Sequence, residues 1–112
     1  RVWIAPEIQF SVRDRNNFWA TLKTSDQVDP GNYTLTAESE NKYVLSQDMQ
    51  LDAYNLASGR KGLHIMRTIE KAEDPLRSLD NYDELIDGIT FAGFEQTILL
   101  KELKNDGIMA EA

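Results

Sequence analysis

Residues 94–106 read FEQTILLKELKND, and no single apolar surface can cover them. Wound as a helix, this part of the chain sets Phe91, Phe94 and Ile98 on one side and Leu99, Leu100 and Leu103 nearly opposite, whereas a surface helix needs one apolar face. An element apolar on two sides has to be covered twice, by its own core and by something else, because large apolar patches are costly to leave in water. Glu95 near its start, Lys101 and Lys104 in its last turns and Gly107 behind it form the charge order and stop that a helix prefers. The segment is therefore read as a helix, with Leu99, Leu100 and Leu103 as a surface for a partner. A buried strand over 96–103, or a helix sandwiched between two layers of the fold, is the alternative.

A first C-terminal helix is expected just upstream. In SLDNYDELIDG the residues Tyr82, Leu85, Ile86 and Ile89 recur at helical spacing. Asp80, Asp83, Glu84 and Asp87 share the opposite face, with Asp80 placed to cap the first turn. Charge is distributed unevenly along the chain. Residues 1–72 hold nine Lys/Arg and nine Asp/Glu, while residues 73–112 hold three and ten, so the whole formal net charge of -7 belongs to the C-terminal third.

The N-terminal two-thirds follow the period-two alternation of half-buried strands. EIQFSV alternates Ile8, Phe10 and Val12 against polar residues, and FWATLK sets Phe18, Ala20 and Leu22 opposite Trp19, Thr21 and Lys23, with RDRNN as the loop between them. DPGN at 29–32 predicts a turn in which Gly31 takes a positive φ. YTLTAE and YVLS read as the next two strands. Residues 46–56 suit a helix behind a Ser46 cap or a strand through Met49, Leu51 and Ala53, and the helix is favoured. SGRKG reads as an exposed turn leading into the strand LHIMRTIEKA.

At 112 residues and 41% hydrophobic content the chain has the make-up of one globular domain. The expected fold is α+β: an antiparallel sheet of about four to five strands over residues 1–72, covered on one face by two C-terminal helices within 78–107. An all-β sandwich with terminal helices is the second choice.

Several chemistries are excluded or disfavoured by residue type. There is no cysteine, hence no disulfide, thiolate nucleophile or cysteine-ligated metal. His64 is the only histidine, so any His-dependent site would have to converge on it, and it is read as a bystander. No nucleotide-binding glycine pattern, HExxH motif or calcium loop occurs, and neither cofactor nor metal is expected. Arg60 and Lys61, between two glycines, form a weak candidate for anion binding, but the phosphate-loop spacing and its following helix are missing. The triplet NYT makes Asn32 a formal glycosylation acceptor, a pattern common by chance.

No apolar run approaches the roughly 20 residues of a membrane helix, and a chain free of membrane association is expected, with the cytoplasm slightly favoured. Arg1 in place of Met is taken to mark a processed form, an excised domain or an incomplete record.

The functional expectation is a non-catalytic interaction or assembly module whose C-terminal helices bind a protein partner, a second copy of the chain included. Two other readings stay open. The face formed by Asp80, Asp83, Glu84 and Asp87 could mimic phosphates and block a basic partner, as inhibitor or immunity-type proteins do. A sheet face presenting Trp19, Thr21 and Lys23 beside Thr34 and Thr36 could stack single-stranded bases, although a pI near 4.6 disfavours nucleic acid.

Overall fold

The computed structural model describes residues 2–54 and 58–107. Four strands, β1 (Thr34–Ser39), β2 (Lys42–Ala53), β3 (Gly59–Lys71) and β4 (Phe94–Asp106), form one antiparallel sheet in the order β1-β2-β3-β4. Among the described residues helix is confined to short pieces: α1 (Glu7–Ser11), a 3-10 turn at Arg15–Asn17, α2 (Phe18–Thr21) and α3 (Tyr82–Leu85). This overturns the expected α+β layering. No pair of C-terminal helices covers a sheet face among the described residues; one helical turn and a long strand occupy that part of the chain.

Each misplacement has a local cause. EIQFSV and FWATLK are helical turns rather than strands, because Val12 and Leu22 meet in an isolated antiparallel bridge and the nine residues between must double back tightly. Within that loop the Asp14 carboxylate accepts from Asn16 N, and Thr21 Oγ1 accepts from Asp14 N. Trp19 consequently lies on α2 and not on a sheet face, so the aromatic platform beside Thr34 and Thr36 is not formed.

Residues 46–53 are strand and not helix. Gln47, Met49, Leu51 and Ala53 are buried in alternation with exposed Asp48, Gln50 and Asp52, and pair with Ile65, Leu63, Lys61 and Gly59 of β3. The rest of the expected helix, 55–56, lies outside the described residues. Arg60 and Lys61 stand within β3, so SGRKG is a strand entry and not an exposed turn. Gly59 is required there because a side chain would collide with the carbonyl oxygen of Asp106 on β4. Gly31 does take the positive φ, at 77°, that its place after Pro30 suggests.

The expected helix around residues 80–89 shortens to α3, with Gly88 at φ 73° ending the segment. Asp80, Asp83, Glu84 and Asp87 would stack like charges at i, i+3 and i+4 along a longer helix, with no cation to relieve them. Asp80 does not cap: the N-cap residue is Asn81, and its side chain makes no capping bond.

The core lies on one face of the sheet, at the end formed by the C-terminal half of β2 and the N-terminal half of β3. Met49, Leu51, Ala53, Leu63 and Ile65 are packed there under Phe10, with Val2, Ile4, Val28 and Tyr33 against them. Residues 2–33 thus act as a plug over part of one face. The other end of the sheet projects beyond the plug, and the radius of gyration is 19.4 Å. A compact domain of this length would have about 13 Å.

Candidate functional site: the edge strand β4

β4 begins where a long excursion between β3 and β4 closes. Lys71 pairs with Phe94, and Ala72 N donates to the Gly93 carbonyl at 3.0 Å, so strand pairing resumes directly behind Gly93. The Phe91 ring lies where a side chain on residue 93 would go, which leaves glycine the residue that fits. From there β4 follows β3 residue by residue: Ile69 opposite Gln96, Arg67 opposite Ile98, Ile65 opposite Leu100, Leu63 opposite Glu102.

Directly opposed residues of an antiparallel pair share a face. Phe94, Gln96, Ile98, Leu100 and Glu102 therefore lie on the side of the plug, and Glu95, Thr97, Leu99 and Lys101 on the open side. The register shifts by one after Glu102, where Leu103 is the extra residue opposite Gly62/Leu63.

Polar side chains fasten β4 to β3. Arg67 donates to Gln96 Oε1 through Nη2 at 2.6 Å and Nε at 3.2 Å, and its guanidinium also lies 5.3 Å from the centre of the Tyr33 ring. Lys61 Nζ sits 3.0 Å from Glu102, buried on the plug side. The apolar side chains of β4, by contrast, are only partly covered. Phe94, Ile98, Leu99, Leu100 and Leu103 are between 42% (Ile98) and 68% (Phe94) exposed.

A strand resolves the two-sided apolar pattern differently from a helix: consecutive Ile98, Leu99 and Leu100 point to alternate faces, and each face is half open. Among the described residues β4 is paired on one side only, by β3, so its other backbone edge is the margin of the sheet. Such a row of unpaired donors and acceptors is a template for a further strand. The chain exposes 8161 Å² in all. A compact monomer of 12.8 kDa would expose about 6,300 Å². The excess, roughly 1,900 Å², goes with the extended shape of the molecule, in which β4 stays half open.

The other sequence-derived candidates are dispersed. Arg60 and Lys61 point to opposite faces and each meets a carboxylate, Asp52 at 2.8 Å and Glu102 at 3.0 Å. The Asp52 hydrogen bond and charge, with Asp106 nearby, hold the Arg60 proton more firmly than usual. His64 Nδ1 lies 2.6 Å from Asp48 Oδ1 on the open face, with Lys101 the β4 residue opposite.

Asp80, Asp83, Glu84 and Asp87 are exposed around α3, and none forms an ion pair with another described residue. Asn32 is exposed, its N–H donated to Gln47 Oε1 at 2.7 Å. Leu99, Leu100 and Leu103 do sit together, on the edge strand. Phe94 and Ile98, read from the sequence as the core-facing side, join them at the surface. The run Thr97-Ile98, β-branched and followed by two leucines, was the signal for a strand.

Among the described residues no group of three or more His, Asp or Glu is placed to hold a metal ion, and no helix is long and apolar enough to cross a membrane. No protein family, curated protein or solved structure gives a significant match to the chain.

Proposed function

We propose that this chain is a non-catalytic interaction module that binds a protein partner by adding a strand to the free edge of β4. The observation that carries the reading is a 13-residue edge strand with five large apolar side chains exposed across both of its faces. In strand addition, main-chain hydrogen bonds supply affinity and alternate side chains supply specificity. The edge offers both, with Ile98 and Leu100 on one face and Leu99 on the other.

The test needs no knowledge of the partner. Random extended peptides are displayed and selected on the immobilised chain, then on Leu99→Lys/Leu103→Lys. Enrichment of proline-free, aliphatic-rich peptides that bind the unchanged chain and not the double variant is expected. Failure to enrich any peptide, or binding indifferent to the two lysines while circular dichroism shows an intact sheet, would sink the reading.

A further inference from the structure

We infer that the occupant of the β4 edge is a second copy of this chain, paired antiparallel about Ile98 to give one continuous eight-stranded sheet. This rests on the reading of β4 as a docking edge and deepens it by naming the partner. Edge-to-edge pairing of two identical antiparallel strands is generated by a two-fold axis normal to the sheet, and closed two-fold pairs are the commonest protein assemblies. That axis keeps each face of the sheet continuous, so residues that meet must lie on the same face.

Centred on Ile98, the pairing sets Glu95 opposite Lys101 of the partner subunit, both on the open face, and by symmetry it does so twice. Opposite charges facing one another across strands stabilise the pair, while like charges destabilise it. Shifting the centre by one residue to Leu99 would set Glu95 against Leu103 of the partner subunit and draw the register irregularity at Leu103 into the paired segment. The Ile98 register uses 94–102 and stops one residue short of that irregularity. It also places Ile98 against Ile98 of the partner subunit, with Leu100 on the same face to either side.

The acidic excursion points to the same arrangement. Residues 73–93 carry six carboxylates against Arg77 alone. They leave the sheet at the Phe94 end of β4. Parallel pairing would bring the two excursions together. Antiparallel pairing about Ile98 sets the two Phe94 positions about 27 Å apart along the strands, at 3.4 Å per residue. That is several times the screening length of about 8 Å at physiological ionic strength.

The experiment is a charge exchange on the full chain, read by light scattering across concentration, with circular dichroism to confirm the fold. Both side chains are exposed, so the variants should fold. Wild type is expected to form dimers. Glu95→Lys alone and Lys101→Glu alone should each weaken self-association by at least about tenfold, because symmetry enters the like-charge pair twice. An equimolar mixture of the two variants should associate within about threefold of wild type, since the mixed pair restores both contacts. A wild type that stays monomeric overturns the inference and leaves the peptide selection to judge the docking edge. A wild-type dimer whose two variants associate undiminished, or whose mixture shows no recovery, overturns this register while association through another contact survives.

Discussion

Along the outer edge of β2, where β1 ends at its pairing of Thr34 with Ser46, the chain closes the backbone with side chains from its own N-terminal segment; among the described residues no strand pairs with the outer edge of β4. Gln27 behaves there like a piece of neighbouring strand, donating from Nε2 to the Gln50 carbonyl at 2.9 Å and accepting from Gln50 N at 2.8 Å. Gln47 ties the same segment down through the Gln27 carbonyl and Asn32 N, both at 2.7 Å, and Tyr54 N reaches the Gln9 carbonyl. β1 itself is short and carries a register irregularity between Leu35 and Ala37. Natural sheets blunt an edge they do not use by short strands, bulges and covering segments. One side of this sheet has all three, and the other has a long strand rich in exposed leucine and isoleucine. That difference, within one small chain, is the reason to treat β4 as built for contact.

The largest effect should come from removing the plug that protects the closed side. Phe10→Ala takes a buried ring out from over Met49, Leu51 and Ile65 and should cost about 3 to 5 kcal/mol in urea unfolding. A cost below about 1 kcal/mol, the level of a surface change, would mean that residues 2–33 do not stay seated on the sheet. The contrast between the two edges would then disappear, because both would be open. Gln27→Ala is the finer version of this test. It removes both bonds to Gln50 and should cost about 1 to 2 kcal/mol. It should also raise self-association by exposing a second edge, which light scattering would detect.

The apolar edge was legible from the sequence as a problem, though not in its geometry. FEQTILLKELKND declares two apolar sides in any regular conformation, and Leu99, Leu100 and Leu103 were picked out on that ground. What the pattern cannot reveal is that β3 offers a neighbouring backbone: a run that could wind as a helix is extended because Arg67, Ile65 and Leu63 already stand in register to receive it. Tertiary pairing overrode a good set of local helix signals.

The opposite error at EIQFSV and FWATLK has the same root. Their alternation is real, but Phe10 and Val12 are buried from a helical turn and a bridge because the chain doubles back between Val12 and Leu22. β1 was easier, since Thr34–Ser39 sits behind a Pro-Gly turn, whereas the end of β2 was read as helix although Met49, Leu51 and Ala53 keep strict alternation.

On the open side the comparison predicts separation of stability from association. Leu99→Lys/Leu103→Lys changes side chains that are each about half exposed, so at concentrations dilute enough for both proteins to be monomeric the unfolding free energy should move by less than about 0.5 kcal/mol. A loss of several kcal/mol would show that these leucines are core and that no edge is being offered.

The smallest effect concerns the excursion 73–93, which leads directly into β4. It is held by its own short-range bonds, among them Tyr82 Oη donating to Asp74 Oδ2 at 3.0 Å. That hydrogen bond, followed by desolvation and the Asp74 charge and opposed by Arg77, raises the phenol above its ordinary value of 10.0. A phenol whose folded pKa is raised above the unfolded one favours the folded state fully below the unfolded value, and this contribution is lost as pH rises through the folded pKa. Ultraviolet titration of wild type against Tyr82→Phe should therefore show one phenol ionising late, above 10.0. If the excursion is independent of β4, Tyr82→Phe should leave self-association at neutral pH unchanged. An increase in association on loosening this tie would mean that the excursion shields β4 in the isolated chain, and the open edge would then be a guarded one.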